Sequence, residues 1–175
     1  FKAGSASEKM RITANGGKVG IGETSPLAKL HVKVADSGAS SYAHTALVVE
    51  DSDHTFIDIM SGTSGSGGIN FGDSGSIERG VLQYDHSSDF MRIITAGGER
   101  LRIDSSGRVG IGHDTPSSFS SAAHTLVLNT TSGNCGLTIS TSAADQIGSI
   151  FFAEGTGSTG DGRIRYEHAN NAMAF

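Results

Sequence analysis

"KVGIGETSP", Lys18–Pro26, alternates two β-branched residues, Val19 and Ile21, with two glycines, Gly20 and Gly22. The alternation predicts a strand that keeps side chains on only one of its two faces. Glycine inside a strand costs roughly 0.5–1 kcal/mol relative to alanine, because it loses more freedom on folding and packs against nothing. A structural constraint must therefore outweigh that cost.

The same pattern returns 90 residues later as "RVGIGHDTP", Arg108–Pro116. The match extends upstream, from "EKMRITANGGKVGIGETSP" at 8–26 to "ERLRIDSSGRVGIGHDTP" at 99–116, with one extra glycine in the first copy. We interpret this segment as a connector between repeated β-modules. Its predicted structural residues are Val19, Gly20, Ile21, Gly22 and Pro26 in the first copy, and Val109, Gly110, Ile111, Gly112 and Pro116 in the second.

Further matches extend the repeat over nearly the whole chain. They join 43–49 to 123–128, 57–62 to 137–142, 67–72 to 148–153, and 80–91 to 162–173. We predict a first module at 1–98, with its connector at 8–34 and its β-module at 35–98. The second lies at 99–175, with a connector at 99–128 and a truncated β-module at 129–175. The chain is expected to be a segment of a longer array.

Short segments with a period of two, separated by Gly, Ser, Asn and Asp clusters, predict an all-β fold. No stretch of a dozen residues keeps apolar groups three and four apart, so no helix is expected. The other predicted strands are Met10–Thr13, Ala28–Val34, Leu47–Val49, Phe56–Met60, Ile69–Phe71, Val81–Tyr84 and Met91–Thr95.

Composition predicts a thin private core. Leu, Ile, Val and Phe make up about 22% of the 175 residues, aromatic residues only 6%, and Trp is absent. Thin cores are commonly completed by oligomerisation. The net charge of −5 argues against a general affinity for nucleic acid, and no apolar run is long enough to span a bilayer. The lone Cys135 excludes an internal disulfide.

Several short motifs resemble catalytic sequences, but their context favours turns. "GDSG" at 72–75 and "SAAHT" at 121–125 resemble trypsin-like segments in the wrong order, since that fold places its histidine before its serine. "GIG" lacks the third glycine and the helix of a dinucleotide site, and "GTSGSGG" at 62–68 lacks the lysine of a phosphate loop. We predict no catalytic residue and no cofactor.

Histidines and carboxylates are weighed in the same way. The seven histidines form no His-x-His or His-x3-His pair, and two sets, His44 with His124 and His86 with His168, are repeat mates expected at strand ends. "EDSDHTFID" at 50–58 is the densest acidic cluster, but its repeat counterpart carries no carboxylate, so a solvated loop is favoured over a cation or glycoside site. No metal site is predicted, and "NTT" at 129–131 matches a glycosylation motif that is common by chance.

The connector motif, followed in the first copy by "LAKLHV", resembles that of bacteriophage tail fibres and tail spikes, particularly long fibres that end in an endosialidase-type intramolecular chaperone. The resemblance covers about 19–25 residues in the first copy and 18 in the second. It implies a homotrimeric, elongated β-rich shaft on a virion tail, with host recognition at or near the tip. The catalytic dyad of the chaperone matches no position here.

A trimer is also expected on physical grounds. Val19 and Ile21 of three chains could meet at an axis, while Gly20 and Gly22 would let a neighbouring chain's backbone approach. We therefore expect a structural segment of a viral fibre that serves as spacer and in attachment to a host-surface glycan or envelope protein. Two alternatives stay open, a non-viral extracellular fibril or adhesin built of the same repeats, and a polysaccharide depolymerase.

Overall fold

The computed structural model describes residues 8–14, 16–122, 124–142, 146–152, 162–170 and 172–175, and divides into two units, Phe1–Ile59 and Met60–Phe175. The fold is all-β, as predicted. Its strands form three sheets, and the described residues add one short 3-10 turn at Pro116–Ser118.

The first unit holds a four-stranded sheet. Its strands follow the chain in order: β1 (Met10–Ile12), β2 (Val19–Ile21), β3 (Leu30–Lys33) and β4 (Leu47–Glu50). β1 and β2 form an antiparallel hairpin, whereas β3 and then β4 add to it in parallel. Parallel pairing is possible because the loops before β3 and β4 carry the chain back to the end of the sheet at which the preceding strand began.

The second unit holds a six-stranded sheet. In chain order its strands are β5 (Ser66–Asp73), β6 (Ser76–Asp85), β7 (Phe90–Thr95), β8 (Gly98–Ile103), β9 (Val109–Ile111) and β10 (Leu126–Leu128). All neighbours are antiparallel except β9 and β10. The predicted module boundary at 98/99 falls within β8, so the first β-module and the second connector share one sheet.

A three-stranded antiparallel sheet completes the second unit, with β11 (Ile147–Phe152), β12 (Gly162–Glu167) and β13 (Ala172–Ala174). It reproduces β5–β7. Tyr166 pairs with Gly148 and Met173 in the same way as Tyr84 pairs with Gly67 and Met91. The repeat read from the sequence is thus also a structural repeat here.

The predicted strands are confirmed except one. Phe56–Met60 was expected to be a strand, but these residues are not in a strand, and Phe56 and Met60 are 79% and 85% exposed. The alternation of apolar residues is present, but a strand also requires a neighbour whose backbone groups pair with its own, and the described chain supplies none there.

The private core is as thin as composition predicted. Only three hydrophobic residues of the described chain are buried, namely Ala28, Val81 and Val127.

Candidate functional site

Each predicted connector contributes an internal strand to one of the two larger sheets. Val19–Ile21 form β2, which lies between β1 and β3, and Val109–Ile111 form β9, which lies between β8 and β10. Each strand ends at a glycine with positive φ, +74° at Gly22 and +73° at Gly112. The two connectors therefore share one local structure.

Gly20 and Gly110 are buried where the chain turns back over its own strand. A Cβ on Gly20 would overlap the carbonyl oxygen of Glu23, and one on Gly110 would overlap that of His113. Within the single chain this space is occupied by the chain's own backbone. The approach of a neighbouring chain's backbone to these glycines stays a prediction.

Gly22 and Gly112 face a second backbone contact of the same kind. A Cβ on Gly22 would overlap the carbonyl oxygen of Lys33, and one on Gly112 would overlap that of Asn129. Lys33 and Asn129 thus hold equivalent positions beside the two connectors. Positive φ and lack of space together make glycine necessary at both sites.

The turn that follows is closed by a side chain at the same place in both copies. The Ser25 N–H donates to the Glu23 carboxylate, and the Thr115 N–H donates to His113 Nδ1 at 3.1 Å. Pro26 and Pro116 come next, and both are buried. Glutamate and histidine serve the same purpose here because each offers an acceptor two residues before the N–H.

The third strand distinguishes the two connectors. β10 pairs with β9 in the register that β3 has with β2, so that Val127 lies opposite Gly110 as His31 lies opposite Gly20. The sequence match of 123–128 is to 43–49, which contains the start of β4. The structure instead places 126–128 in the position of β3.

His31 forms a buried polar network in the first unit. It is 1% exposed, and its Nε2 lies 2.7 Å from Oε2 of Glu50 on β4, which is 7% exposed. The Leu27 N–H donates to Nδ1 at 3.3 Å, so Nε2 carries the proton and donates to the carboxylate. Oε1 of Glu50 accepts from both the backbone N–H and the hydroxyl of Ser37, at 2.7 and 2.8 Å.

Hydrogen bonds hold the carboxylates of this network in their charged forms. The Ser37 N–H and hydroxyl, followed by His31, lower the pKa of Glu50. Lys33 Nζ lies 2.5 Å from Glu23 Oε2, which lowers the pKa of Glu23 and raises that of Lys33. A cleft of about 340 Å³ adjoins these groups. Both ring nitrogens of His31 are engaged, so the network stabilises the fold and leaves no free base at this residue.

One face of each sheet is apolar and open to solvent. Paired residues on neighbouring strands point to the same side, and the register aligns apolar residues there. In the six-stranded sheet every strand contributes at least one residue that is 40–58% exposed; examples are Ile69, Leu82, Ile93, Ile103, Ile111 and Leu126. In the four-stranded sheet the exposed members of this face are Met10, Ile12, Ile21, Leu30 and Leu47.

The opposite face of the six-stranded sheet combines a paired polar cluster with apolar residues, among them Val81, Ile94 and the buried Val127. Gln83, Arg92 and Arg102 lie beside one another across three strands. Arg92 Nε donates to Gln83 at 2.6 Å, and Arg102 makes two bonds to Glu99 at 2.6 and 2.8 Å and lies 3.8 Å from the centre of the Phe90 ring. The charged groups of this cluster are thus paired with one another within the chain.

The remaining sequence motifs fall in turns and at strand ends. Ser74 and Gly75 form the turn between β5 and β6, where Asp73 accepts the N–H groups of Gly75 and Ser76; these bonds lower the pKa of Asp73. His86 and His168 each follow a strand and contact the preceding tyrosine edge-on, at 5.0 and 4.8 Å between ring centres.

Asp51 and Asp53 lie outside the strands, and the carboxylate of Asp53, which is 81% exposed, lies 2.8 Å from Nδ1 of its neighbour His54. Among the residues that the structure describes, no group of three His, Cys, Asp or Glu side chains is arranged to hold a metal ion. Nor does the described part of the chain contain a helix that could cross a membrane.

Comparison with known proteins identifies no family. No protein-family model matches the chain, and no curated protein matches its sequence. Sequence pattern and geometry therefore carry the functional argument.

Proposed function

We propose that this chain is a structural segment of a homotrimeric viral tail fibre, serving as shaft and spacer, with its loops in reach of the host surface. The observation that carries the proposal is the apolar face left open on each sheet. Among the residues that the structure describes, three hydrophobic residues are buried, whereas members of these faces such as Ile21, Leu47, Ile69 and Leu126 are 42–58% exposed. Two further copies of the chain would cover these faces, as the interfaces of obligate oligomers do.

The repeated connector supports the same proposal. Each connector packs against its own chain. Its glycines allow backbone carbonyl groups of the same chain to approach closely, and its proline is buried. Such a unit can be copied along a chain without new partners, as a shaft of repeated modules requires. The resemblance of this motif to those of phage tail fibres is the reason for assigning the shaft to a virion.

Light scattering of the purified chain tests the assembly. We expect three times the mass of the 18.0 kDa chain. Ile69 and Asn70 are adjacent on β5 and point to opposite faces, Ile69 to the open apolar one, so Ile69→Lys should yield monomers while Asn70→Lys, with the same added charge, should stay trimeric. A monomeric wild-type chain would refute the proposal.

Electron microscopy with a gold-labelled antibody against the chain tests the location. We expect label along tail appendages of virus particles. Label on cellular filaments instead would favour the alternative, a non-viral fibril or adhesin with the same assembly. This readout is independent of the mass measurement, so the trimer and its viral origin can fail separately.

A further inference from the structure

The outer edge of β10 is where the second connector is incomplete. β3 carries β4 on its far side, with Leu30 opposite Leu47 and Val32 opposite Val49. β10 has the place of β3 but pairs with β9 alone within the described chain. An open edge presents unpaired N–H and C=O groups and is a template for a further strand.

A second observation also indicates that a partner is missing beside β10. His124, two residues before β10, has a buried Nδ1 for which the described residues supply no hydrogen-bond partner. Buried polar nitrogens are rarely left unpaired in complete native structures. Leu126, the first residue of β10, is also 58% exposed.

Residues 137–140, "LTIS", fit this edge. Leu137 and Ile139 are two apart, like Leu47 and Val49 of β4, and are 68% and 43% exposed outside any strand. As an edge strand they would lie on the apolar face, next to Leu126 and Leu128. The segment carries no carboxylate. In the first unit β4 supplies Glu50 to His31, but the equivalent residue of β10 is Val127, which needs no such partner.

We infer that β10 receives residues 137–140 of a second copy of the chain as its parallel edge strand, in the place that β4 has beside β3. In a single chain Ile139 lies instead along β11, where its Cγ2 is 3.4 Å from the position of a Cβ on Gly148. In the proposed three-fold assembly, a second copy at the same height would supply these residues to the open edge. The inference rests on the proposed trimer.

Disulfide cross-linking tests the strand exchange. In a Cys135→Ser background, which removes the native thiol, Leu126→Cys is combined with Leu137→Cys. Neighbouring strands are about 4.8 Å apart, within reach of a disulfide. We expect oxidation to give a covalent species of three times 18.0 kDa on a non-reducing gel.

Two matched pairs calibrate the result. Leu30→Cys with Leu47→Cys should form its disulfide within one chain, because β3 and β4 pair there. Leu126→Cys with Thr138→Cys should give much less covalent trimer, because Thr138 would point to the other face. An intrachain disulfide from 126 and 137, or none in a chain that light scattering shows to be trimeric, would overturn the strand exchange and leave the trimer standing. A monomeric mass would overturn both.

Discussion

The two connectors are alike in their hairpin and differ in what lies beside it. β1–β2 and β8–β9 share register, glycine positions and turn, and in both the chain's own carbonyls occupy the space that a side chain would need. Beside them, His31 selects a strand that carries Glu50, whereas Val127 leaves an open edge. The hairpin is therefore the constant part of the connector, whereas the strand beside it differs between the copies together with the buried residue, His31 or Val127.

The largest expected effect comes from Gly110→Val. The Cβ would overlap the His113 carbonyl, so the strand itself should be lost, together with any assembly that depends on it. Far-ultraviolet circular dichroism and light scattering on the same sample measure the two losses. A variant that kept its strands but failed to assemble would show that a neighbouring chain, and not the chain's own backbone, requires the glycine.

Gly112→Ala compared with Gly107→Ala separates space from conformation. Both glycines have positive φ, +73° and +77°, but only Gly112 has a backbone atom where the Cβ would lie. We expect Gly107→Ala to cost about 1–2 kcal/mol of unfolding free energy from conformation alone. Gly112→Ala should cost more than twice that, about 4 kcal/mol, in thermal or denaturant unfolding. Equal costs would mean that the Asn129 carbonyl gives way.

Exchanging the third-strand residues should have a smaller effect. Val127→His places a ring at a buried site that lacks a carboxylate, at a cost of about 2 kcal/mol. His31→Val should lower the melting temperature by leaving Glu50 Oε2 and the Leu27 N–H without partners.

The double variant His31→Val with Glu50→Leu is the control for this exchange. It should recover part of the loss, because it removes the buried carboxylate that His31→Val leaves unpaired, although the Ser37 N–H and hydroxyl then lose their acceptor. A double variant no better than His31→Val would show that the pair is not the source of the loss.

The smallest expected effect is a loss of hydrogen-exchange protection in the first connector at acidic pH. The pKa of Glu50 is lowered in the folded chain, so its contribution is present above its ordinary pKa of 4.5 and is lost as the pH falls through the lowered value. Hydrogen exchange of Val32 and Val49 between pH 5 and pH 3 should show decreasing protection, and Glu50→Gln should flatten that dependence. A wild-type profile as flat as that of Glu50→Gln would contradict the assignment. Asp104 in the second connector, paired with Arg108 at 2.7 Å, also has a lowered pKa. Because both connectors therefore respond to acid, the reference for the wild-type profile is the Glu50→Gln variant and not the second connector.

Much of the fold was predictable from the sequence. Strand positions follow from period-two patterns, and the module repeat follows from self-similarity, since both are local properties. The exception, Phe56–Met60, shows the limit of the method, because alternation describes a strand's side chains and says nothing of its partner. The buried network was also missed, although an isolated histidine within "AKLHVKV" and a glutamate ending "ALVVE" were the available signals.

The sequence by itself determined the all-β class, the two connectors, the need for glycine within them and the shortage of core. These features follow from composition, hydrophobic period and side-chain volume, which are local properties and do not depend on tertiary contacts. Only the tertiary structure decided which backbone lies against the glycines and which strand follows β2 and β9. "AHT" precedes both β4 and β10, yet one pairs with β3 and the other takes the place of β3. Strand pairing is long-range, so the same three-residue segment can precede a strand in either place.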